Sequence, residues 1–351
     1  MHCLFIGFLG ELGVFLRRFF KSFFGSVFAL LWPSITWAEP PNSAIDLTHH
    51  TPTQYDICAY NLLLNGAESL TVGEIRQQCL KANLPLSEQV LSKRQISEVL
   101  TEKNPFVLTS HRLNYVMVSH FLSSINQQPF EKNDPSKTFS FEDTELQFQL
   151  SVKVPVIKKV YGLVDLYAAY TNRSFWQFLD HKGSIPFRET NHEPEFWAEL
   201  KTDTDLFNFN LHKLLIGINH QSNGQSGQLS RGWNRVFIQG LLQSDQGFAS
   251  FKTWQRFNEK DAFDNSFNYP KYLGDYELQL GYQSNKHTYS ITLRNRYQIN
   301  KYGSFQLDYT YPLTKKFKGY IQWQRGYGDS LIDLDYFSNK IGFGIVLADR
   351  I

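Results

Sequence analysis

A histidine and a serine stand two residues apart in Gly217-Ile218-Asn219-His220-Gln221-Ser222-Asn223-Gly224, and an asparagine follows in Ser230-Arg231-Gly232-Trp233-Asn234-Arg235. Residues two apart on a strand point to the same face, and the second segment reads as the returning strand. An imidazole beside a hydroxyl, with an amide to orient the ring, is the arrangement that activates a serine nucleophile. The shared face is otherwise apolar, with Leu214, Ile216 and Ile218. Chemistry on an apolar wall implies an apolar substrate. These residues alone leave open the alternative of an interfacial polar pair without chemistry.

The elements that must position this group alternate in polarity. In Leu146-Gln147-Phe148-Gln149-Leu150-Ser151-Val152-Lys153-Val154 every even residue is apolar and every odd one is not. Tyr276 to Gln283, Tyr289 to Arg294 and Phe305 to Tyr311 repeat the pattern, with aromatics near the ends of the runs. A soluble sandwich would also alternate. Its polar face, however, would carry many Lys and Glu, not this excess of Gln, Asn, Ser and Thr. Hydrophobic content of 42% and aromatic content of 16% suit a barrel that hides its apolar residues on alternate positions. No segment has the long apolar run of a spanning helix. About a dozen strands are expected, beginning near residues 107, 145, 162, 195, 211, 231, 248, 275, 288, 303, 317 and 340. An even number predicts a closed antiparallel transmembrane barrel with both termini periplasmic. The loops at about 178 to 194 and 223 to 230 are then extracellular, and His220, Ser222 and Asn234 converge on the lipid-facing wall near the outer leaflet.

The N-terminal region reads differently. Arg17, Arg18 and Lys21 precede a short apolar run from Phe23 to Trp32, and Thr36-Trp37-Ala38 resembles a cleavage site, so residues 1–38 are expected to be a secretory signal. Residues 39–105 lack alternation and contain helix-like stretches at 69 to 82 and 87 to 102, a small periplasmic extension before a barrel over 106–351. Cys58 and Cys79 are the cysteines left after cleavage, and an oxidising compartment predicts one disulfide between them. His49 and His50 read as a solvated pair. Arg188, Glu189, Asn191 and Glu193 are expected at the barrel mouth, supporting the loop that bears Ser184. Asp203, Asp205 and His212 are expected near a periplasmic turn, and Arg294, Arg296, Arg325, Asp308 and Glu277 in the lumen. A net charge of +2 on 351 residues argues against a nucleic-acid partner.

Several blocks in one order resemble the outer-membrane phospholipase A family of Gram-negative bacteria. They are Tyr170-Thr171-Asn172-Arg173-Ser174-Phe175-Trp176-Gln177, Pro186-Phe187-Arg188-Glu189-Thr190-Asn191-His192-Glu193-Pro194, the His220 to Arg235 block, and Tyr327-Gly328-Asp329-Ser330-Leu331-Ile332-Asp333. The resemblance covers about residues 104 to 351. It implies a twelve-stranded barrel that hydrolyses phospholipid acyl esters (A1, A2 and lysophospholipase types), depends on Ca2+ and is active as a homodimer. It places the nucleophile on Ser222, the base on His220 and the orienting amide on Asn234. It places calcium ligands on the backbone carbonyls of Gln225 and Ser230, with the Ser184 hydroxyl from the neighbouring subunit. Asn172 stands where the family's glutamine contributes to dimer contact, and the shorter amide implies a weaker contact. The contrasting reading is a non-enzymatic porin or structural barrel, whose functional residues would be polar groups constricting the lumen.

Overall fold

The computed structural model describes residues 108–348, apart from 162, 181–185, 207–208, 245, 258–266, 285, 296–301 and 315–316, together with Cys58, Leu62, Thr71, Glu74 and Ile75. Ser184, Cys79, Arg296, His49, His50 and residues 1–38 lie outside the described set. The chain divides into two compact units, residues 1–88 and 89–351. In the first, Thr71 and Glu74 form a reciprocal capping box: Thr71 N–H donates to Glu74 Oε2 at 2.8 Å and Glu74 N–H to Thr71 Oγ1 at 3.3 Å. This pairing marks a helix N-terminus and holds the Glu74 carboxyl below its ordinary pKa. Cys58 is disulfide-bonded.

In the second unit twelve strands close into one antiparallel barrel. They are β1 (Asn114–Phe121), β2 (Thr144–Val160), β3 (Val164–Trp176), β4 (Phe187–Leu206), β5 (Phe209–Ser222), β6 (Gly232–Gln243), β7 (Gly247–Arg256), β8 (Tyr276–Ser284), β9 (His287–Arg294), β10 (Ser304–Pro312), β11 (Lys318–Gly326) and β12 (Ser338–Ala348). Closure comes from β12 pairing with β1, in a register that sets Lys340 opposite Phe121 and Val346 opposite Tyr115. A two-residue segment, Thr109–Ser110, pairs with β2 on the same edge as β1. Among the described residues two short helices, α1 (Gln128–Asn133) and α2 (Tyr269–Leu273), lie in the connections. The connections at one end are tight, at 161–163, 207–208, 244–246, 285–286 and 313–317. Those at the other end are longer, at 122–143, 177–186, 223–231, 257–275, 295–303 and 327–337. That asymmetry distinguishes the periplasmic from the outer end of membrane barrels.

Outward positions are apolar and open. Leu150, Ile216, Ile218 and Phe343 are each at least half exposed, a surface that lipid covers at no cost and water does not. Inward positions are packed with paired polar groups, which leaves a cavity of about 260 Å³ toward the tight-turn end.

Two strands begin away from their expected places, and the others lie within two residues. The first starts at 114, not 107, because the chain leaves the ladder between Ser110 and Asn114. The fourth starts at 187, not 195. Its outward residues Thr190, His192 and Pro194 are not strongly apolar and its inward ones are charged, so alternation is muted until Phe196. At its start Trp176 pairs with Phe187 and Phe175 with Glu189. Arg188 is therefore the extra residue of a bulge, which turns both Arg188 and Glu189 inward. One lumen expectation fails: Arg325 shares the outward face of Ile321 and Trp323, lies over the Phe337 ring at 5.6 Å, and is exposed. Arg294 and Glu277 do pair inside. Asp308 accepts hydrogen bonds from Tyr320 and Gln322, and from no cation among the described residues.

Candidate active site

His220 and Asn234 are direct cross-strand partners on β5 and β6, so their side chains leave the same face within contact distance. His220 Nδ1 and Asn234 Oδ1 are 2.8 Å apart. An amide oxygen only accepts. The ring proton therefore sits on Nδ1, and Nε2 presents a lone pair. Ser222 lies two residues further along β5 on the same outward face, opposite Gly232 on one side and His192 on the other. No hydrogen bond joins Ser222 Oγ to His220 among the described residues. A nucleophile and base two residues apart on a strand begin about 6.6 Å apart at their Cα atoms, and such bonds commonly tighten only when substrate binds. The three residues sit at the long-connection end of the barrel, where the strand pair opens into 223–231.

Asn223 shapes that connection. It is the first residue after Ser222 and is buried. Its main-chain N–H donates to the Arg231 carbonyl at 3.0 Å. Its side-chain oxygen accepts from Arg231 N–H at 2.9 Å, and its amide donates to the Leu229 carbonyl at 2.8 Å and to Glu189 Oε2 at 3.3 Å. Gly224 follows with φ of +65°, a left-handed turn that glycine takes without strain. Glu189 in turn accepts the Ile332 N–H at 3.2 Å, and Asn191 accepts the Leu331 N–H at 3.1 Å. The connection that follows Ser222 is thus tied through the wall to the 327–337 connection. Of the residues expected at the barrel mouth, Arg188, Glu189 and Asn191 are directed at Asn223 and residues 331–333, Glu193 instead pairs with Arg112, Asn219 and Arg235, and Ser184 lies outside the described set.

The main-chain oxygens expected to hold calcium lie in this same connection. Ser230 O accepts Arg231 Nη1 at 2.7 Å, and Gln228 O accepts the same nitrogen at 2.8 Å. These two oxygens already serve a positive charge, and each carbonyl retains a second lone pair. Neutral oxygen donors in a turn are the ligand type a hard cation takes, so the residues present fit that group. Among the described residues no three His, Cys, Asp or Glu side chains converge on one point.

Comparison with known proteins settles the kinship. Residues 91–347 match the family described as phospholipase A1. The chain belongs to the phospholipase A1 family. The phospholipase A1 of Proteus vulgaris is 36% identical over 257 residues, covering 72% of this chain and 86% of that protein. The phospholipase A1 of Escherichia coli K12 is 33% identical over the same length. Among solved structures, the outer membrane phospholipase of Salmonella typhi, a dimer with bound calcium, superposes with a TM-score of 0.66 at 32% identity, covering 71% of this chain and 95% of that one. The outer membrane phospholipase A of Escherichia coli gives 0.65 at 31% identity, covering 70% of this chain and all of that one. This chain is accordingly a phospholipase on an outer-membrane barrel, and the porin reading falls.

Sequence reasoning left two residues of this phospholipase without a role. Asn223 was legible only as part of a motif, because its task is to close a turn that has no sequence period. His192 lay inside a block read as loop. It faces outward beside Ser222, and its Nδ1 lies 2.6 Å from the Tyr170 hydroxyl and 3.4 Å from Asn172 Nδ2. The shorter amide at Asn172 is therefore engaged within its own barrel, where Asn172 Oδ1 also accepts the Ser174 hydroxyl at 3.0 Å.

Proposed function

We propose that Ser222, His220 and Asn234 hydrolyse phospholipid acyl esters on the outer wall of the barrel, at the outer leaflet. The observation that carries this reading is the His220–Asn234 hydrogen bond on the lipid-facing side, with Ser222 on the same face. His220 Nε2 takes the Ser222 proton as Oγ attacks the ester carbonyl. The imidazolium returns that proton to the departing alcohol, and water then releases the fatty acid by the same route. Asn234 fixes the tautomer but, being neutral, stabilises the imidazolium less than a carboxylate would. Ca2+ held by the Gln225 and Ser230 carbonyls, with the Ser184 hydroxyl of a second copy, would supply positive charge where the oxyanion develops. A site with two carbonyls is underligated, so the second barrel completes it. Calcium affinity and homodimer formation are then linked reciprocally, which keeps the monomer idle in its own membrane. Residues 1–38 direct export, and residues 39–105 form a periplasmic extension closed by Cys58 and Cys79.

The test is phospholipid hydrolysis by the refolded full-length protein in detergent, with calcium and with chelator, for the natural chain and for Ser222→Ala and His220→Ala. Activity that requires calcium and disappears in both variants, with barrel folding intact, is expected. Activity retained by either folded variant overturns the assignment.

A further inference from the structure

We propose that His192 is a substrate-binding residue of this site, whose Nε2–H donates to the phosphodiester of the lipid that Ser222 attacks. The inference rests on Ser222 being the nucleophile. His192 on β4 is the direct cross-strand partner of Ser222 on β5. The two Cβ atoms of such a pair lie roughly 5 Å apart. The ring is held from its far side. The Asn172 amide nitrogen can only donate, so with Asn172 and Tyr170 both at Nδ1 the ring proton resides on Nε2. That edge faces Gly224: a Cβ placed there would lie 3.7 Å from Nε2 and 3.6 Å from Cδ2. No described residue accepts from Nε2. The carboxylates of the same strand, Glu189 and Glu193, are buried on the lumen side and cannot reach it. An anchored, oriented and unshared donor therefore stands beside the nucleophile.

Its position along the barrel decides which lipid oxygen it meets. His220 lies two residues inward of Ser222, on the side where acyl chains run along the apolar wall of Ile218 and Ile216. Gly224, and with it His192 Nε2, lies on the opposite, polar side of Ser222. A phospholipid with its scissile carbonyl at Ser222 and its chains along the wall carries its phosphodiester on that polar side. The oxyanion would form at Ser222 itself, not beyond it.

The experiment compares His192→Ala and His192→Gln with the natural protein, full length, in detergent with calcium. One arm measures KM and kcat for a lysophospholipid. The other measures the rate at which a long-chain alkylsulfonyl fluoride, which carries no phosphate, sulfonylates Ser222 Oγ with loss of fluoride. His192→Ala is expected to raise KM for the lysophospholipid about tenfold or more, the scale of one hydrogen bond to a charged group, with kcat little changed. Sulfonylation of Ser222 should keep its rate. His192→Gln, which retains an N–H donor, should recover part of the lost affinity. Equal loss in both arms would mean that His192 supports the oxyanion or the local structure, and no loss in either would mean it binds nothing. Each result overturns the proposal. Failure of the underlying reading is distinguished separately, because Ser222→Ala would then still be sulfonylated.

Discussion

The two faces of this barrel use polar residues in opposite ways. Inside, Arg188 has no exposed side-chain surface and pairs with Glu145 at 3.0 Å and with Asp333 at 2.7 Å. Arg112 and Arg235 share Glu193, and Lys252 reaches Glu195 at 2.7 Å. These groups are spent on one another, and buried pairs of this kind hold geometry more than they add stability. Outside, those of the proposed site keep a valence that no described residue uses: the lone pair of His220, the hydroxyl of Ser222, the N–H of His192. A charge satisfied by its neighbours builds walls, whereas a polar atom left unsatisfied against lipid has substrate as its remaining partner.

The largest effect that can break this contrast is on activity. Ser222→Ala and His220→Ala should each lower kcat by a factor on the order of 10⁴ or more, with the folded barrel still resisting unfolding in detergent. The interior should respond the other way. Arg188→Ala strands Glu145 and Asp333 in the lumen and should cost about 3–5 kcal/mol of stability, measured by denaturant unfolding in detergent, while the fraction that folds retains the natural KM. Asn223 joins the two regions, so it sharpens the comparison. Asn223→Ala should lower kcat roughly tenfold and raise the calcium concentration for half-activity, by loosening the turn that its side chain closes at Leu229 and Arg231, a loss of about 1–3 kcal/mol for buried groups left unpaired. Asn234→Ala should be milder, roughly five- to tenfold in kcat, the scale of one orienting hydrogen bond. The smallest effect should follow replacement of Cys58 and Cys79 together by serine. Activity per folded barrel should be unchanged, and thiol labelling of the unfolded natural protein should find neither of them free without reductant.

Much of this contrast was legible in the sequence, and the part that was not shares one cause. Period-two alternation identifies a strand when one face meets lipid and the other meets polar side chains, as in β2, β8 and β10. It fades in β4, where Thr190, His192 and Pro194 face outward and a bulge at Arg188 breaks the period. It misplaced Arg325, because a cation at a barrel rim can face outward over an aromatic ring as readily as inward. The spacing of His220 and Ser222 was visible because both sit on one strand. The partnership of His192 with Ser222 was not, since it depends on the register between β4 and β5, which no single strand encodes. Closure follows from the even strand count, but the register in which β12 meets β1, with Lys340 opposite Phe121, is invisible for the same reason.

The most direct measurement is to find where a serine-directed reagent attaches. The refolded protein, with calcium in detergent, is treated with the alkylsulfonyl fluoride, digested and mapped by mass spectrometry. One adduct, on the peptide containing Ser222 and absent from His220→Ala, is the expected result. An adduct on another serine, or undiminished labelling of Ser222 without His220, would contradict catalysis on the outer wall.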